Sequence, residues 1–134
     1  MEQWLWVDQC YFQPAFIPIF YMRSLKKMPV DEAIIEAKRL DLAETLDQME
    51  EQLQITGAYL AASTFTLADL NYLCYFQVFE ASGLQDLLDA RPALASWWQR
   101  CKVRPSWVYA TGTRFVDERA PVTDPLGRTK PWDP

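Results

Sequence analysis

The sequence has no histidine, which removes the commonest general base, the commonest metal ligand and any nucleophilic triad built on imidazole. Cysteine is scarce: three residues, at 10, 74 and 101, an odd number without the short CxxC spacing of zinc or dithiol redox sites. Reduced intracellular thiols are the expected state. Their positions on apolar faces predict buried, inert side chains. Basic residues are in the minority, 13 against 18 acidic, and a net charge of −5 has the wrong sign for a footprint on nucleic acid or anionic lipid. No apolar run reaches the roughly 18 residues of a membrane span. The aromatic N-terminal segment carries Glu2 and Asp8 without a basic stretch before it, unlike a signal peptide.

What is present is a core. Half of the 134 residues are hydrophobic and 14% are aromatic, ample for one domain in a chain too short for two. Over residues 2–25, Trp6, Cys10, Ile17, Tyr21 and Leu25 recur at spacings of four or seven, which predicts a helix with a bulky apolar face, bent or divided by Pro14 and Pro18. After Met28-Pro29, helical period runs through Val30, Ala33, Ile34, Ala37, Leu40, Ala43, Leu46, Met49 and Leu53 to a stop at Gly57. The acidic residues on this stretch read as a solvated face.

Thr66-Leu67-Ala68-Asp69 is a capping box, with Phe65 and Leu70 placed to form a hydrophobic staple. Residues 67–79 are apolar almost all round and predict a central helix buried on several sides. Leu84, Leu87 and Leu88 suggest one or two further turns after Gly83. Pro92 opens a helix with Leu94, Trp97, Trp98 and Cys101 on one face, and Pro105 is expected to close it. Gly112, Pro121, Pro125, Gly127 and Pro131 predict an extended tail, packing through Phe115 or Trp132. With no sustained strand alternation, the fold class is all-α: about five helices over residues 1–110, followed by a tail over 111–134.

The ordered set Tyr59-Leu60-Ala61, Phe65-Thr66-Leu67-Ala68-Asp69-Leu70, Arg91-Pro92, Trp97-Trp98 and Arg104-Pro105 resembles the C-terminal helical domain of glutathione transferases. Trp4, Val7, Asp8, Phe12, Pro14 and Tyr21 resemble the first helix of the plant phi class. The resemblance implies a bundle that forms the wall of a hydrophobic ligand site, with Tyr21, Leu25 and Ile17 on the wall and Val78 where the family often has a ligand-contacting Tyr. Ordinary core packing competes for these positions, since apolar stripes usually pack. Thr66 and Asp69 match the family's folding box and are structural.

The family places glutathione and its thiol-activating hydroxyl on a thioredoxin-like N-terminal domain, which these residues do not encode. The resemblance therefore implies no catalytic residue, no metal and no cofactor in this chain. Glutathione enters when such a domain completes it. Three roles follow: a ligand-binding domain without catalysis of its own, part of a transferase that conjugates glutathione to electrophiles in cytoplasmic detoxification, or a protein–protein assembly module. The implied partners are a hydrophobic small molecule or a protein, with a homodimer among the options, because aromatics wrap the first helix on more sides than one core can cover.

Overall fold

The structure, a computed structural model, describes residues 2–114. Its first helical segment has three parts: α1 (Glu2–Val7), a π-helical turn (Asp8–Phe12) and α2 (Gln13–Arg23). The sequence predicted a bend or two shorter helices at the prolines, and the chain forms two helices divided by a wide turn placed directly before Pro14. Pro14 has no amide to donate, and the Gln13 amide reaches five residues back to the Asp8 carbonyl. The buried face is Trp4, Asp8, Phe12, Ala15, Phe16, Ile19 and Met22. Of the stripe read from the sequence, Trp6, Cys10, Tyr21 and Leu25 are exposed and Ile17 half-buried. Both sides of this helix are apolar, so hydrophobic spacing could not tell inside from outside.

Helix α3 (Glu32–Thr56) starts at an Asp31 cap, whose carboxylate accepts the Ala33 and Ile34 amides, and ends at Gly57 with φ of 82°, a left-handed conformation that suits glycine. Ile35, Leu42, Thr45, Leu46, Met49 and Leu53 face the core. The predicted period holds for the second half, while Val30, Ile34 and Leu40 lie exposed. Helix α4 (Leu67–Gln77) follows, then the short α5 (Gln85–Asp89) and α6 (Pro92–Lys102). On α4, Ala68, Asp69, Tyr72, Leu73 and Phe76 are buried, whereas Leu67, Leu70 and Cys74 form an exposed stripe. The central helix is covered on fewer sides than its composition predicted. Cys10 and Cys74 are exposed and only Cys101 is buried, which corrects the expectation of three buried thiols.

Helix α3 packs on α2 and α6, and α4 packs on α1 and α6. Between them lies an aromatic core: Phe12 sits 5.1 Å edge-on to Tyr72, Phe76 stacks on Phe79 at 4.4 Å and meets Trp97 edge-on at 5.1 Å. Polar clamps set the frame. Glu50 of α3 accepts the Ala93 and Leu94 amides at 3.0 and 2.7 Å and so caps α6 from another helix. Arg91 reaches Asp47 at 2.8 Å and donates to the Leu87 and Ala43 carbonyls.

Among the described residues, 103–114 belong to a second unit. Helix α6 ends at Lys102, ahead of Pro105 as the sequence predicted, and Pro105 then opens a further helix, α7 (Pro105–Arg114). Proline suits a first helical turn because its missing amide would be unpaired there in any case. The predicted tail boundary at 111 thus falls inside a helix, and the expected packing of Phe115 or Trp132 lies outside the described residues.

Candidate functional site

The outward side of the first helical segment builds the candidate site. Gln13, Pro14, Ile17, Pro18 and Tyr21 line an open groove of about 430 Å³. They share one side of α2 because their spacings of three and four follow the helical period. The two proline rings make its floor rigid and apolar. A larger hollow of about 500 Å³ lies at the end of α2, but Arg23 and Lys26 there face Glu32 and Glu80, and Arg23 pairs with Glu32 at 2.9 Å. Its charges offset one another, and it offers an apolar ligand less.

The groove has a polar edge. The Gln13 Nε2 group donates to the Tyr75 hydroxyl of α4 at 3.4 Å. Burial, and then the neighbouring Asp8 carboxylate through its charge and hydrogen bonding, pushes the Tyr75 phenol up to about 12. Asp8 is 2% exposed, an unusual depth for a carboxylate. Its Oδ2 accepts from Gln9 at 3.0 Å, while Oδ1 is buried without a protein partner. Tyr72 donates its hydroxyl to the Trp4 carbonyl at 2.6 Å, and burial, followed by Asp8, raises its phenol well above the usual range.

Of the residues singled out from the sequence, Ile17 and Tyr21 come together in the groove. Leu25 lies exposed just past α2, its amide bonded to the Phe20 carbonyl at 3.1 Å. Val78 caps the C-terminus of α4, and the groove is lined without it. Gln13 and Tyr75 were not singled out. The available signal was weak: a polar residue just before Pro14, and a tyrosine one turn before Val78 on a helix read as all core.

Thr66 and Asp69 form the capping box, the Thr66 hydroxyl accepting the Ala68 amide at 3.2 Å and Asp69 Oδ2 the Thr66 amide at 2.9 Å. Asp69 does more than the sequence indicated. Its Oδ1 also takes the Leu60 amide at 2.9 Å and the Trp97 indole at 2.7 Å. Among the described residues, no group of three or more Cys, Asp or Glu is placed to hold a metal ion. No helix among them is long and apolar enough to cross a membrane.

Residues 9–105 match the family described as "Glutathione S-transferase, C-terminal domain". Among curated proteins, the chain is 31% identical over 113 residues to glutathione S-transferase F11 of Arabidopsis thaliana, covering 80% of this chain and 51% of that protein. It is 32% identical over 111 residues to glutathione S-transferase 3 of Zea mays, covering 80% and 50%. Its relatives are of the plant phi class. Among solved structures, poplar glutathione transferase F1 superposes with a TM-score of 0.78 at 29% identity, covering 84% of this chain and 53% of that one. Glutathione S-transferase III in its apo form gives 0.77 at 29% identity, covering 87% and 55%. The chain spans about half the length of the curated relatives it matches.

Proposed function

From a chain that belongs to the glutathione S-transferase C-terminal domain family, we propose that the groove on α2 is one wall of a hydrophobic ligand site. Ile17 and Tyr21 supply its apolar contacts, and Leu25 and Val78 are further candidates that stand outside the groove's lining. The observation that carries this reading is the exposure of an apolar helix side, Pro14, Ile17, Pro18 and Tyr21, around a hollow large enough for a small aromatic molecule. Concave apolar surface left open to water favours occupation by a ligand or a partner.

A second reading rests on length. The curated relatives are about twice as long as the matched region. The chain would then supply the electrophile wall of a cytoplasmic transferase in detoxification, a thioredoxin-like domain supplying glutathione and the hydroxyl that activates its thiol. An assembly role, as a homodimer or with another protein, would use the same exposed aromatics, Trp6 and Tyr11 foremost.

Equilibrium dialysis of the full chain against a small aromatic probe tests the first reading: saturable binding that weakens several-fold in Ile17→Asp supports it, and no binding removes it. Mixing the chain with glutathione and an electrophilic aromatic substrate, with and without an added thioredoxin-like domain, separates the second. A rate above background only in the mixture supports shared catalysis, and a full rate from the chain alone contradicts both. Sedimentation across a concentration series tests assembly, and a strict monomer counts against a homodimer.

A further inference from the structure

The polar edge of the groove carries information about what the groove accepts, on the premise that it is a ligand site as proposed above. Three side chains stand in sequence from the core outward. Asp8 is buried, Tyr75 is partly exposed beside it, and Gln13 both touches the Tyr75 hydroxyl and lines the groove. The Tyr75 hydroxyl oxygen accepts from the Gln13 amide nitrogen at 3.4 Å. This contact turns the nitrogen of the Gln13 carboxamide toward Tyr75. A primary amide has two N–H groups. One is spent on Tyr75.

We propose that the second N–H of Gln13 is the polar specificity contact of the groove, and that the ligand class is an apolar, ring-sized molecule bearing a neutral carbonyl oxygen. Of the other lining residues, Pro14, Ile17 and Pro18 have no side-chain donor, and Tyr21 carries one, its phenol O–H, which the Gln13→Leu variant separates from the Gln13 contact. A neutral acceptor is favoured over an anionic one because the buried Asp8 carboxylate stands behind Tyr75, and a second negative charge close by would be repelled. In this arrangement Gln13 touches the ligand, while Tyr75 is a positioning residue that acts through Gln13.

The test compares two probes of nearly equal shape, 2-acetylnaphthalene and 2-isopropenylnaphthalene, which differ by a carbonyl oxygen in place of a methylene. Equilibrium dialysis of the full chain measures the dissociation constant of each. The expected result is a preference of roughly five- to tenfold for the ketone, the range of one net hydrogen bond. Gln13→Leu, at a half-buried position, abolishes the preference. Tyr75→Phe at least halves it, the loss falling on the ketone rather than on both probes alike, a split that general unfolding would not produce. Equal binding of the two probes by the unaltered chain, or a preference that survives Gln13→Leu, overturns the assignment while leaving the groove as a ligand site. Failure of both probes to bind overturns the groove itself.

Discussion

The indole Nε1 of Trp97 donates to Oδ1 of Asp69 across 2.7 Å, joining the first turn of α4 to the middle of α6 in a wholly buried contact. The same carboxylate takes the Leu60 amide and, through its other oxygen, the Thr66 amide. One side chain therefore satisfies donors from a loop, a helix cap and a second helix. Charged acceptors of this kind bond more strongly than neutral ones, and the groups they serve have no water to turn to.

Replacing Asp69 by Ala should accordingly lower unfolding stability by about 3 kcal/mol or more, because several buried donors lose their acceptor at once. Thr66→Ala, which removes one cap bond, should cost on the order of 1 kcal/mol. Urea denaturation followed by circular dichroism measures both. Equal effects would mean that Asp69 serves only the cap.

Glu50→Ala should detach the N-terminus of α6 from α3. The Ala93 and Leu94 amides lose a carboxylate that also complements the positive end of the helix dipole. A loss of about 1 to 2 kcal/mol is expected, with Glu50→Gln recovering part of it by keeping an acceptor. Amide hydrogen exchange at Ala93 and Leu94 should accelerate in the Ala variant, and unchanged protection would remove the capping role.

Alkaline pH should weaken the fold through Tyr75 and Tyr72. Both phenols are raised in the folded state, Tyr75 from 10.0 to about 12. Between those values the unfolded chain has lost the proton that the folded chain keeps, so folding binds protons and stability falls as pH rises. The contribution is intact below pH 10 and is lost as pH climbs toward about 12. Urea midpoints measured from pH 8 upward should decline more steeply in the unaltered protein than in Tyr75→Phe. Parallel curves would show that Tyr75 is not the titrating group.

Thiol labelling should divide the cysteines by exposure. Cys10 and Cys74 react in the native protein, whereas Cys101 reacts only after unfolding. Cys74 should lag behind Cys10 near neutral pH, because burial, opposed by nearby backbone hydrogen bonds, holds its thiol pKa above the ordinary value and reduces the reactive thiolate. Mass spectrometry of timed iodoacetamide reactions resolves the three sites. Prompt modification of Cys101 would contradict the packing around α6.

The helices with one apolar side were legible in the sequence. The second half of α3 and the face Leu94, Trp97, Trp98 and Cys101 of α6 are buried as their spacing predicts. The Thr66–Asp69 cap was legible too, since its bonds lie within four residues and need only local geometry. The first helix was not. It is apolar on both sides, and period alone placed Trp6, Tyr21 and Leu25 inside where the fold leaves them outside.

The sequence by itself determined an all-helical chain, its principal breaks at Met28-Pro29 and Gly57, and the cap that starts α4, because each follows from backbone preference and near-neighbour chemistry. Only the tertiary structure decided which side of the first helix faces water, that Asp8 is buried beside Tyr75, and that Gln13 meets Tyr75 across 62 positions of chain. Those outcomes depend on which surfaces neighbouring helices cover, and hydrophobicity supplies the drive to cover a surface without naming the partner that does so.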